Sequence, residues 1–113
     1  VKLSKDDLVD TDAIRMIGEG WTSDEALAIA IYSSLKYKDD FKKALICSVN
    51  HDGDSDSTGA ICGNILGAYL GIDNIPKEWI DVIELKELLE NISTDLLTGY
   101  EESEEWFEKY LEN

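Results

Sequence analysis

Gly59, Gly63, Gly67 and Gly71 recur at every fourth position of GAICGNILGAYLG, and this spacing constrains the chain more than any other feature. Residues four apart share one face of an α-helix, so a helix here carries a stripe without side chains. Each such glycine weakens an isolated helix by roughly 1 kcal/mol relative to alanine. Close approach of a neighbouring backbone is the natural offset. Membrane helices use the same spacing to dimerise, but the apolar run from Gly59 to Ile72 is short for a bilayer span and carries Asn64. A tightly packed core helix is expected instead, with no membrane partner.

The rest of the chain reads as helical too. Leu8, Ala13, Ile14 and Ile17 predict a short first helix that stops at Gly18-Glu19-Gly20. WTSDEALAIAIYSSLKY predicts a second, with Thr22 and Glu25 as a capping box. Ala26, Leu27, Ile29, Ala30 and Ile31 make that helix apolar on more than one face, which places it centrally in the core. Phe41, Ala44, Leu45 and Val49 predict a third helix capped by Asp39 or Asp40. Pro76 in IPKEW marks a further helix start, continued by Leu85, Leu88, Leu89 and Ile92. Trp106, Phe107, Tyr110 and Leu111 form one stripe of an acidic tail helix, a pattern of core packing more often than of partner binding. Period-two runs are absent. The fold class is all-α, with residues 1–113 as a single compact helical domain.

Composition sets limits on function. The 113 residues are 43% hydrophobic and 31% charged, a globular balance. Twenty-five acidic against ten basic residues give a formal charge of -15, a field that repels nucleic acid and anionic lipid and suits cations. Cys47 and Cys62 lack CxxC spacing, and His51 is the single histidine, which excludes a zinc cage and a disulfide framework. Both cysteines read as reduced core residues of a cytoplasmic protein. The chain opens on Val1 and passes directly into an amphipathic pattern, so a piece of a longer protein is expected.

The chemistry concentrates in NHDGDSDSTG, Asn50 to Gly59. Asp52, Asp54 and Asp56 could begin an EF-hand loop, but its sixth position is Ser57 where glycine is needed and its twelfth is Gly63 where glutamate is needed. DSDST also matches the aspartyl nucleophile of haloacid-dehalogenase-type phosphatases. That chemistry needs the first aspartate at the end of a buried parallel strand, and no alternation of strands and helices is present to supply one. A third reading is a hard-cation site. Asp54, Asp56 and the adjacent hydroxyls are the oxygen ligands that magnesium or manganese prefers, and Gly53 permits the sharp turn that lets them converge. The plain alternative is a helix N-cap, but a cap needs one such residue and not five in a row.

Taken in order, GEGWTSDEALAIAIY, NHDGDSDSTGAICGNILGAYLG and IPKEW resemble the carboxyl-terminal part of the ADP-ribosylglycohydrolase family, from about Gly18 to Trp79. The resemblance implies part of a larger all-α hydrolase that holds two Mg2+ (or Mn2+) ions and removes ADP-ribose from modified protein side chains or a related ADP-ribosyl compound. By motif position Asp54 and Asp56 would be carboxylate ligands and Ser57 a hydroxyl ligand. The family's other metal ligands, a Thr-Asp-Asp-type cluster and an acidic residue nearer the amino terminus, have no counterpart here. The runs Lys5 to Asp7 and Lys38 to Asp40 read as helix caps. The fragment alone is therefore expected to bind metal weakly, to lack hydrolase activity, and to be open to self-association through exposed core helices. A non-catalytic relative that keeps the scaffold for binding or structure is the alternative.

Overall fold

The computed structural model describes residues 2–5, 7–99 and 101–111, and of Leu111 the backbone only. Every regular element among them is helical: α1 Asp10–Ile17, α2 Ser23–Lys36, α3 Phe41–Val49, α4 Ser55–Leu70, α5 Lys77–Ile80, α6 Lys86–Thr98 and α7 Glu104–Leu111, with short 3-10 turns at Leu3–Lys5 and Ile72–Asn74. No helix among the described residues is long and apolar enough to cross a membrane. The chain forms two compact units, residues 1–77 and 78–113.

In the first unit α2 is the hub, packing against α1, α3 and α4. Its neighbouring residues Ile29 and Ala30 are both fully buried and face different clusters. Ile29 joins Ile14 of α1 and Cys47 of α3, whereas Ala30 joins Phe41 of α3 and Leu66 of α4. That arrangement is why this helix is apolar on more than one face. The expectation fails for Leu27 and Ile31, which stay 47% and 39% exposed. With Leu35 they form a half-exposed apolar stripe, because the neighbours of α2 occupy its other sides.

Small polar residues complete this core. Ser33 Oγ donates to Cys47 Sγ at 3.3 Å, and Ser34 Oγ lies 3.4 Å from Cys62 Sγ. Both cysteines are free and buried. Burial pushes the Cys47 thiol up to about 11, which keeps it protonated.

The ends of α1 and α2 are joined by one polar cluster. The Asp10 carboxylate accepts from Tyr32 Oη (2.9 Å), Tyr37 Oη (2.7 Å) and Lys36 Nζ (2.8 Å). Burial alone would raise the Asp10 carboxyl, but the bonds from Lys36, Tyr37 and Tyr32 together hold it below its ordinary value. The hydrogen bond to Asp10 pushes the Tyr37 hydroxyl up to about 12.

The glycine stripe of α4 serves less uniformly than its spacing suggests. A Cβ on Gly59 would lie 2.7 Å from Val49 Cγ1 of α3, so this position does need glycine. At Gly63 the nearest atom would be 3.9 Å away, and at Gly67 nothing lies within 4 Å. Gly71 ends the helix at φ +78°.

At the helix starts one expectation changes and one holds. Thr22 and Glu25 do not form a capping box: the Thr22 hydroxyl bonds to Asp24, and the Glu25 carboxylate reaches back to the Gly20 N–H at 3.2 Å. Asp40 caps α3 as expected, accepting from the Lys43 N–H at 3.0 Å.

In the second unit, the helix begun after Pro76 does not continue through Leu85. It stops at Ile80, and α6 begins after Leu85, which adopts a left-handed φ of +55°. A Lys86–Asp81 ion pair at 3.5 Å spans the break. Asp95 of α6 accepts from Lys109 Nζ at 3.0 Å and from the Tyr110 hydroxyl of α7. Trp106 meets Tyr110 edge-on at 5.2 Å and Phe107 edge-on at 5.6 Å, although Phe107 stays 51% exposed. The side chain of Leu111 lies outside the described residues.

Candidate functional site

The acidic motif occupies the connection from α3 to α4, and two loops meet there. Gly53 carries no special torsion, but a Cβ on it would fall 1.7 Å from the Glu19 carbonyl oxygen. Only glycine lets the two backbones touch. The same Glu19 oxygen accepts the Asp54 N–H at 2.9 Å. Gly20, at φ +82°, lies over Thr58, where a Cβ would be 3.0 Å from Thr58 Cγ2. Gly18-Glu19-Gly20 is thus more than a helix stop. It is a platform, held from the α2 side by Glu25, against which the acidic turn is pinned.

On this platform Asp54 is the N-cap of α4, its carboxylate accepting from the Ser57 N–H at 3.4 Å. The start of α4 therefore puts Asp54 and Ser57, three positions apart, on one face. The Asp54 carboxyl is held below its ordinary value, foremost by hydrogen bonding with the Asp56 carboxyl and then with the Ser57 hydroxyl. Asp54 thus has both other predicted site residues beside it. Asp54 and Ser57 are half-buried and Asp56 is exposed.

Asp52 is exposed and takes no part in this group. His51 does have a place, which its position before the turn did not reveal. Its Nδ1 accepts the Gly53 N–H at 3.1 Å, and its Nε2 lies 3.0 Å from Thr58 Oγ1. Thr58 is fully buried. Beside the turn is a cleft of about 320 Å³ whose wall includes Thr11 and Arg15 of α1, Glu19, and Asn50 to Gly53.

The donor set fits a hard cation in kind. Two carboxylates and a hydroxyl are oxygen ligands of the sort Mg2+ and Mn2+ take, and an ionised Asp54 offers its charge at neutral pH. The amino end of α4 opposes a cation electrostatically, and the carboxylates offset it. In number the set is small. Among the described residues no three His, Cys, Asp or Glu side chains gather where they could hold a metal. Asp40 is committed to its cap, and Asp6 lies outside the described residues.

The chain is similar to several known proteins. ADP-ribosyl-[dinitrogen reductase] glycohydrolase of Rhodospirillum rubrum is 46% identical over 48 residues, 42% of this chain and 16% of that protein. An uncharacterized protein of Archaeoglobus fulgidus is 39% identical over 84 residues, 74% of this chain and 27% of its own length. ADP-ribosylarginine hydrolase Tri1 of Serratia proteamaculans is 34% identical over 85 residues, 75% of this chain and 22% of the enzyme. The chain thus spans under a third of the length of these relatives. No solved structure matches it. The family model for ADP-ribosylglycohydrolase matches residues 1–105. An all-helical fold, a glycine-pinned acidic turn and a match over nearly the whole chain agree, and the chain belongs to the ADP-ribosylglycohydrolase family.

Proposed function

We propose that this chain is the carboxyl-terminal part of a metal-dependent hydrolase that releases ADP-ribose from modified protein side chains or a related ADP-ribosyl compound. The observation that carries the reading is the Asp54, Asp56 and Ser57 group at the start of α4, pinned through Gly53 and Glu19. The family match and the relatives' names support the reaction class. The share of the relatives' length that the chain spans supports a division of the site with residues elsewhere in a longer protein.

In this reading Asp54 and Asp56 supply negative charge and Ser57 a neutral oxygen to one side of a cation. Bound there, Mg2+ or Mn2+ would supply Lewis-acid chemistry suited to a reaction at an anomeric carbon, whose transition state is oxocarbenium-like. The protein's part is positional: Glu19 and Gly53 fix where the carboxylates stand. The carboxylates also offset the charge repulsion between a diphosphate-bearing substrate and a chain of net charge -15, by retaining cations beside it. On its own the 113-residue chain holds too few ligands for tight binding and is inactive. The half-exposed stripe of Leu27, Ile31 and Leu35 supports coverage of α2 by further protein, in a longer chain or a second copy.

The test is ADP-ribose release from an ADP-ribosylated protein by the longer protein that contains this chain. Release that needs Mg2+ and disappears in Asp54→Ala and Asp56→Ala is expected. Full activity under a chelator, or in both variants, overturns the mechanism.

A further inference from the structure

His51 and Thr58 form the most completely determined polar arrangement near the acidic turn, and the proposed chemistry leaves both unused. The Gly53 N–H donates to His51 Nδ1 at 3.1 Å. A backbone N–H can only donate, so Nδ1 is the ring nitrogen with the lone pair, and the proton of the neutral ring sits on Nε2. The Nε2–H then donates to Thr58 Oγ1, 3.0 Å away. The single Thr58 proton goes in turn to the Ser48 carbonyl at 2.7 Å, the shortest of its three carbonyl contacts. The order of donors and acceptors is fixed from the turn, through the ring and hydroxyl, to the last turn of α3.

We infer that His51, as its Nε2–H tautomer, is the positioning residue that fixes the turn presenting Asp54 and Asp56. Its ring bonds to both flanks of that turn, because Gly53 immediately precedes Asp54 and Thr58 immediately follows Ser57. The inference rests on reading the carboxylates as cation ligands, and it adds a residue that touches neither cation nor substrate. Ligands held in place before the cation arrives avoid the ordering cost that a loose loop would meet on binding. Burial of Thr58 gives the brace a rigid anchor, since its hydroxyl cannot turn to water.

The test uses the 113-residue chain, in which His51 is the single histidine, so the ring nitrogens of the 15N-labelled protein are unambiguous. An unprotonated Nδ1 and a protonated Nε2 in the neutral ring are expected. The Nδ1–H tautomer, or averaging between the two, overturns the inference. A titration with Mn2+ alone, read by paramagnetic broadening of the Asp54 to Ser57 amide signals, gives the second arm. His51→Ala and Thr58→Val should each weaken Mn2+ binding about 10- to 100-fold, and Thr58→Ser should restore it. A merely structural role would lower the melting temperature and leave Mn2+ affinity of the folded chain unchanged, which overturns the inference. Absence of broadening in the wild-type chain at millimolar Mn2+, where even the weak binding of the isolated chain would register, is a different failure. It overturns the cation reading itself, and the positioning role with it.

Discussion

The carbonyl oxygen of Glu19 lies 1.7 Å from the point that a Cβ on Gly53 would occupy, and it accepts the N–H of Asp54 at 2.9 Å. One main-chain atom therefore sets both the residue allowed at 53 and the position of the next residue's carboxylate. Gly53→Ala must push the two loops apart and break that bond. The unfolding free energy should fall by about 1–3 kcal/mol, the range for overpacking. Gly53 is not among the positive-φ glycines, so the effect is steric and not torsional. Urea unfolding checks it, and an unchanged midpoint would contradict the close approach.

The cap and ligand duties of Asp54 can be separated. Asparagine caps a helix as well as aspartate but carries no charge. Asp54→Asn should leave the melting temperature of the chain unchanged and abolish metal-dependent ADP-ribose release in the longer protein. Asp54→Ala should lower the melting temperature and abolish release too. Retained release in Asp54→Asn would show that the carboxylate matters only as a cap.

The Asp10 cluster predicts a pH window for stability. The Asp10 carboxyl is depressed below 3.8, so its contribution is complete above about pH 4 and is lost as the pH falls through the folded value. The Tyr37 hydroxyl is raised to about 12, so its contribution is complete below about pH 10 and is lost as the pH rises through the folded value. Lys36 is raised for the same reason, chiefly its bond to Asp10, and loses its contribution on the same alkaline side. Asp10→Ala should destabilise the chain by about 2 kcal/mol at pH 7, as loss of charged hydrogen bonds does. Thermal unfolding between pH 3 and 12 should show a shallower acid limb in the variant than in the wild type.

The glycines of α4 should respond to alanine with opposite signs. Gly67→Ala meets nothing within 4 Å and should stabilise the chain by about 0.5–1 kcal/mol through helix propensity. Gly59→Ala meets Val49 Cγ1 at 2.7 Å and should be destabilising, with Val49→Ala relieving it. Chemical denaturation of the two single variants and the double variant decides the matter.

What the sequence revealed follows the range of each interaction. The all-α fold was legible because Ile29, Ala30, Phe41 and Ala44 declare their buried faces by spacing alone. Leu27 and Ile31 fit the same spacing, yet no pattern within a helix says whether a neighbour stands opposite. The supposed capping box failed because Glu25 turns to Gly20, an interaction set by the fold of the preceding loop. Asp54, Asp56 and Ser57 were legible as a candidate group because they lie close together in the chain, at the start of one helix. The residues that hold them were not. Glu19 acts through an oxygen that every residue type carries, and His51 acts through a buried hydroxyl on the far side of the turn. The Gly18-x-Gly20 spacing was the one visible trace of the platform, and by itself it reads as a helix stop.

The dependence on Glu19 has a consequence for how the site would be mapped. A side-chain scan through Gly18, Glu19 and Gly20 would pass Glu19 as silent, since alanine retains its carbonyl. The contact belongs to the polymer and not to the alphabet of side chains. Replacing the Asp54 amide by an ester, which removes the N–H and keeps every side chain, would expose it, and so the most influential atom beside the acidic turn is one that ordinary mutagenesis leaves in place.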